Sequence, residues 1–429
     1  MSKQERSPTK PAEERQPEIE KPVGYFELIR RNRNFRCLWA GQVVSLLGDW
    51  FNLIASAILI ADLTGSGLAL GFLFTIRMIA PFFIAPIAGI CADRYNRKHL
   101  LIITDVARAI IVFGFLFVQD ESHVWLLYAL TALLFAVSGF FSPARSAILP
   151  DITSPQELGT ANALGAATWS VMLAVGAMIG GLTTGLFGSQ TAFILDGLTF
   201  FVSAAFLLPI RLPGPPSAVP GTPTRAKLSA LRYMFQHPDI LCIAMHKAAI
   251  ALLLSSGFQI VQIEIANSYF VIGVGGAISL GLIYGVNGVG SGLGPILARH
   301  WTGDQDRLLR ISISIGYLIS AVGVLITAPL YNLTIVLIGG FVRSIGGGII
   351  WVFSTQLLLQ NAPNEIRGRI FGTEFALFTL MGSVATAVVG ALLDQFHVRI
   401  ILGGMVVLPL IPTVFWLLWQ VRYNRIKSG

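Results

Sequence analysis

Apolar residues in this chain come in long unbroken runs, not at alternate positions or on one helical stripe. Runs of roughly 20 such residues, the length an α-helix needs to cross hydrocarbon, recur along nearly the whole length. Charge clusters and Gly/Pro turns separate them. The pattern predicts spans at 36–61, 66–90, 99–118, 123–142, 163–187 and 190–210, then at 239–262, 275–298, 309–330, 333–359, 370–393 and 400–421. The expected fold is therefore all-α and integral to the membrane, with twelve transmembrane helices. The first span is too long for a secretory leader and lacks a cleavage pattern.

Composition supports the same class. A chain that is 54% apolar, 12% charged and of mean hydropathy +0.71 carries more apolar surface than a soluble 429-residue protein can cover. The net charge of +8 is a matter of topology. Of 30 Lys and Arg residues, 25 fall in the two tails and in the turns at 91–99, 140–160, 211–238, 299–310 and 361–369. The positive-inside rule then puts both termini in the cytoplasm of a cell-membrane protein and excludes nucleic acid as a partner. Cys37, Cys91 and Cys242 sit near cytoplasmic span ends and are expected as reduced thiols. Residues 1–22, polar and proline-containing, are expected as a disordered cytoplasmic tail.

The chain divides in the middle. A Pro/Gly-rich linker at 211–238 separates an N-terminal half (23–210) from a C-terminal half (239–421), followed by a short tail (422–429). The halves look like copies. Gly89 and Gly294 follow the second and eighth spans at an offset of 205, and Pro155 and Pro363 follow the fourth and tenth at 208. Where the copies align, Asp93 becomes Ala298, Arg97 becomes Thr302 and Lys98 becomes Gly303. Two six-helix pseudo-repeat halves are expected.

Between spans 2 and 3 runs Gly89-Ile-Cys-Ala-Asp93-Arg94-Tyr-Asn-Arg97-Lys98-His99. The spacing G-x-x-x-D-R-x-x-R-K resembles the signature loop of the major facilitator superfamily. Phe141-Ser-Pro-Ala-Arg145, Ala161-Asn162, Gly41-Gln42 through Gly48-Asp49, and Pro363-Asn-Glu365-Ile-Arg367-Gly-Arg369 resemble the drug:proton antiporter branch that contains macrolide efflux proteins and enterobactin exporters. The likeness covers residues 30–421. The antiporter motif of span 5 departs from its usual form, since Gly176-Ala177-Met-Ile-Gly180-Gly181 lacks the proline. The resemblance implies a monomeric secondary transporter with membrane lipids around it and with protons and a small molecule as its partners.

An ionisable residue at membrane depth is costly and usually faces a partner or water. Asp49 and Arg77 lie at matching depths of roughly 20 Å from the cytoplasmic face, so an ion pair is expected between spans 1 and 2. It is either a structural lock or a proton-coupling device. Lys247 and Arg343 lie in spans 7 and 10, which by resemblance line the cavity. With Trp351 and Gln356 nearby, they favour an anionic or amphiphilic cargo, although Lys247 can equally snorkel and Arg343 meet helix carbonyls. Gln259 and Gln262 add hydrogen-bonding capacity.

A cytoplasmic gate is expected from Gly89, Asp93, Arg94, Arg97 and Lys98, clasped by Asp105 and Arg108, with Arg145, Glu157, Glu365, Arg367, Arg369 and Glu374 as the matching latch. Such ion pairs hold an outward-facing state and break in the inward one. The run Gly288-Val-Gly290-Ser-Gly292-Leu-Gly294 imitates a dinucleotide fingerprint but lies inside an apolar span, so close helix packing is the better reading. No phosphate-binding loop, cofactor motif, metal spacing or catalytic constellation is legible. The sequence reads as proton-driven export of a small drug- or siderophore-like amphiphile. The alternatives are a lysophospholipid-type flippase or uncoupled facilitator, and a non-transporting sensor on the same scaffold.

Overall fold

The computed structural model describes residues 23–212 and 232–428. The expected tail 1–22 and most of the linker lie outside the described residues. Among those described, all regular structure is helical. A short helix, α1 (Tyr25–Arg31), precedes the first span, α2 (Arg33–Thr64). Asn32 between them accepts from the Phe35 N–H and donates through Nδ2 to the Ile152 carbonyl at 2.7 Å, which fixes where the chain enters the bundle. The following helices are α3 (Gly67–Arg94), α4 (Arg97–Gly114) and α5 (Val124–Ile152). Ser66 and Asn96 cap α3 and α4, and Gly65 closes α2 in the left-handed region at φ 59°.

Among the described residues, eleven helical segments are long and apolar enough to cross a membrane. One of them, Pro155–Leu207, has 53 residues. That is about 80 Å of helix, more than twice the thickness of a hydrocarbon core. It consists of α6 (Pro155–Val171), a π-helical turn at Met172–Gly176, and α7 (Ala177–Leu207). Within α7 the backbone leaves the helix at Gly188 (φ 83°, ψ 166°), between the two spans the sequence predicts there.

The second group of helices comprises α8 (Pro238–Ile250), α9 (Ser256–Glu264), α10 (Ala277–Thr302), α11 (Asp306–Thr327), α12 (Leu333–Asn361), α13 (Asn364–Leu393), α14 (Val398–Val407) and α15 (Leu410–Ser428). A π-helical turn at Ala251–Ser255 joins α8 to α9. The last helix continues through 422–428, a stretch expected as a tail. The three cysteines are unpaired.

The bundle has a terminal end, where α1, α2 and α15 carry the chain termini, and a far end around Thr64, Gly188 and Asp394. At the far end one continuous apolar core joins both groups, from Ile54, Ile58, Leu73 and Phe193 to Ile260, Leu280 and Val389. At the terminal end it divides into two separate cores. One lies within the first group (Phe35, Leu101, Ile148), the other within the second (Ile240, Ile313, Phe353).

The groups come closest where side chains are missing. A Cβ on Gly181 in α7 would lie 2.6 Å from Gly281 Cα in α10, and one on Gly67 in α3 would lie 2.7 Å from the Gly390 carbonyl in α13. Three of the four glycines of the α10 run pack against other helices: Gly288 abuts Ala174, Gly290 and Gly294 meet the Phe341 and Ile345 carbonyls of α12, and a Cβ at Gly292 would meet nothing within 4 Å. Towards the terminal end, a Cβ at Gly89, Gly159, Gly368 or Gly372 would meet nothing within 4 Å.

Candidate functional site

The expected Asp49–Arg77 contact is replaced by a wider cluster. Arg77 Nη1 donates to Asn52 Oδ1 at 3.1 Å, one helical turn beyond Asp49, and its guanidinium stacks 4.4 Å from the centre of the Phe135 ring. Asp49 lies in electrostatic range of Arg108, Arg77 and Asp105, without a hydrogen bond of its own among the described residues. Beside it is an acid the sequence reading left aside. Asp196 in α7 is fully buried, with Asn52 nearby, and among the described residues neither carboxylate oxygen meets a partner within hydrogen-bond geometry. Its Oδ1 would lie 2.5 Å from a Cβ on Gly48, so the absent side chain there makes room for it. Asp196 also sits in the fields of Asp49, Arg108 and Arg77. The signal was present in the sequence as an acid inside an apolar span, the same criterion that singled out Asp49.

Asp105 and Arg108 do pair across one turn of α4. They clasp α7 and the aromatic interior instead of the loop at 91–99. Asp105 Oδ2 accepts from Ser203 Oγ at 2.7 Å, and Arg108 lies 4.2 Å from the centre of the Phe200 ring and 4.6 Å from that of Phe141.

In the second group, Lys247 is not free to meet a cargo. Its Nζ bonds Glu374 Oε2 at 2.8 Å, with the two residues 7% and 1% exposed, and lies 4.7 Å from the centre of the Trp351 ring. Glu374 is thus a buried counter-charge 127 residues away in sequence, not part of a surface latch. Gln356 reaches the Asp304 carboxylate at 3.5 Å, at the terminal end of the bundle. Trp351 lies edge-on to Phe378.

Arg343 has no such partner. Its Nη1 donates to the Leu254 carbonyl at 3.2 Å and Nη2 to Ser344 Oγ at 3.3 Å, while Nε has no acceptor. The π-helical turn at Ala251–Ser255 explains the first bond, because its wider register releases a carbonyl from the helix.

Four of the gate residues, Arg97, Lys98, Glu157 and Arg367, are held within their own groups. Arg97 bonds Asp151 at 2.5 Å and the Ala147 carbonyl at 3.1 Å, Lys98 bonds the Leu208 carbonyl at 2.6 Å, and Arg367 bonds the Ala362 carbonyl at 3.1 Å. Glu157 forms the capping box of α6 with Ser154 and accepts from Asn32, so it does not meet Arg145. Arg145 lies against Gly165, with Nη2 2.6 Å from where a Cβ would be. Arg94 is exposed, Arg369 has a partner, and the side chains of Asp93 and Glu365 lie outside the described residues.

The far end is latched. Asp394, at the end of α13, accepts from Gly67 N–H at 2.5 Å, Ser66 Oγ at 3.0 Å and Leu68 N–H at 3.1 Å, so one group caps the first turn of a helix in the other. Thr75 Oγ1 bonds the Ser383 carbonyl at 3.1 Å one level deeper.

Charged clusters at membrane depth, in two helix groups joined at one end, are the build of a multi-pass membrane transporter. The chain belongs to the Major Facilitator Superfamily, whose family model matches residues 38–373. It is accordingly a transporter and not an enzyme. It is 23% identical over 403 residues to the uncharacterized MFS-type transporter YfiS of Bacillus subtilis, covering 89% of this chain and 91% of that one. It is 26% identical over 382 residues to the candidate bacilysin exporter BacE of Bacillus amyloliquefaciens, covering 87% and 93%. In fold it resembles an inward-facing bacterial homologue of the lysosomal transporter Spinster (TM-score 0.72, 14% identity, 91% and 97% covered). It also resembles an inward-facing bacterial homologue of ferroportin (TM-score 0.68, 14% identity, 90% and 98% covered).

Proposed function

We propose that this chain is a twelve-span secondary transporter of the drug:proton antiporter kind, exporting a small amphiphilic compound by alternating access. Both termini lie in the cytoplasm, and the structure is the inward-facing state. One observation carries this reading: a single apolar core at the far end that divides in two at the terminal end. Two bodies that share a seal at one face and part at the other expose a cavity to one side only. Arg97, Lys98, Glu157 and Arg367, each bonded within its own group, fit that state. The exporter name given to BacE supports the direction of transport.

The twelfth span comes from crossing the membrane twice within Pro155–Leu207, with the turn at Gly188, which restores six helices to each half. A cysteine at the exposed Gln190 should react with a membrane-impermeant maleimide added to intact cells, whereas one placed in the 1–22 tail should react only after lysis. Labelling of both from outside would sink the assignment.

Proton coupling falls to Asp49 and its companion Asp196, with Arg77, bonded to Asn52, in electrostatic range of both. Asp49→Asn is expected to abolish proton-driven export in proteoliposomes while insertion into the membrane is unaffected. Full retained uptake under an imposed pH gradient would overturn this role.

A further inference from the structure

We propose that Arg343, Tyr284 and Gln262 form a docking site for an acidic group on the cargo, a carboxylate or a phosphate monoester. The inference rests on the transporter reading and names the chemistry of its cargo. Arg343 stands ten residues into α12 from Leu333, about 15 Å down the helix and hence near the middle of the membrane. It is partly exposed at that depth. A guanidinium there demands a counter-charge, and among the described residues no carboxylate pairs with it. The other interior cations differ. Lys247 is neutralised by Glu374 and Arg108 by Asp105, and Arg77 lies in the fields of Asp49 and Asp196. The positive charge left over in the second group therefore belongs to Arg343.

Unused hydrogen-bond donors gather around it. Arg343 Nε has no acceptor. Its guanidinium lies 4.3 Å from the centre of the Phe258 ring, and Gln262, one turn further along the same face of α9, leaves Nε2 unpaired. Tyr284 in α10 is buried with an unpartnered hydroxyl, in electrostatic range of both Arg343 and Arg77. Its ring meets Trp50 of the first group at 5.7 Å between centroids, so the site sits where the two groups join. Three kinds of unsatisfied donor around an unbalanced cation form a receptor for an anion with two or more oxygens. An ammonium would meet the like charge of the Arg343 guanidinium there.

Binding of a matched set tests this in the full chain reconstituted in nanodiscs: hexanoate, hexyl phosphate, hexanol and hexylammonium. Hexanoate or hexyl phosphate should bind about tenfold or more tightly than hexanol, the range of a charge-assisted hydrogen bond, and the better of the two names the acidic group. Arg343→Gln should erase the preference, Arg343→Lys should keep part of it, and Tyr284→Phe should weaken it severalfold. If Arg343→Gln does not fold, the Arg343→Lys and Tyr284→Phe measurements decide. Equal binding of hexanol and the acids, or an undiminished preference in the folded Arg343→Gln protein, would overturn the site. The two readings fail separately. Proton-driven export without acid preference removes this site and leaves the exporter, whereas acid-selective binding without coupled transport leaves the site and removes the coupling.

Discussion

Glu374→Gln is expected to destabilise the protein by about 3–5 kcal/mol, the usual cost of leaving one member of a buried ion pair without its counter-charge. The stranded group is the Lys247 ammonium, only 7% exposed and packed against Trp351. Lys247→Met should cost a similar amount for the opposite reason, since Glu374 Oε1 already lacks a partner and would then be joined by Oε2. The double variant Lys247→Met/Glu374→Leu, which removes both charges, should recover most of the loss. Thermal and denaturant unfolding in nanodiscs measures all three. The double variant also separates structure from recognition. If it is stable and still transports, the pair braces α8 against α13. If it is stable and transport is lost, Lys247 serves the cargo in some other state of the cycle.

The second large effect concerns the far-end latch. Asp394→Ala removes a carboxylate that takes three donors from the first turn of α3. These bonds are exposed, so we expect a loss of about 1–2 kcal/mol from the state that contains them, a shift of roughly 5–30-fold between the two states. Spin labels at the exposed Leu68 and Phe396 report it directly. The wild type should show one short distance, and Asp394→Ala should add a longer population, enhanced in the variant by Gly71→Leu. The latter would place a Cβ 2.5 Å from the Thr386 carbonyl, against backbone that cannot move aside cheaply. An unchanged distance distribution would show that the latch does not hold the state.

Much of this architecture was legible because lipid imposes one rule on every span. Backbone groups must bond within the helix, so length and hydropathy alone place the spans, and the break at Gly188 falls between the predicted ends at 187 and 190. Charges at depth pointed to Asp49, Arg77, Lys247 and Arg343; the last three make interior hydrogen bonds, and Asp49 lies in electrostatic range of Arg108 and Arg77. Their partners were another matter. Depth along two helices gives no rotation about either axis, so Arg77 could be aimed at Asp49 on paper yet bond Asn52 in space. The Lys247–Glu374 pair joins positions 127 residues apart, and Glu374 near a span start looked like part of the cytoplasmic latch. Glu157 carried an S-x-x-E capping signature in Ser154-Pro-Gln-Glu157, a local signal that outweighed the long-range partner assigned to it.

The glycine crossings have a further consequence. Where α7 meets α10 and α3 meets α13, contact is made by backbone, with Gly181 on Gly281 and Gly67 on Gly390. The charge beside them, on Asp394, is already bonded to the first turn of α3 and is not open to a cargo. In the proposed transport cycle the fulcrum is chemically anonymous, and recognition falls to a few side chains elsewhere, such as Arg343 and Gln262 in the proposed site. New cargo can then be acquired by changing those side chains with the fulcrum left as it is, so a single swinging mechanism can serve many unrelated compounds.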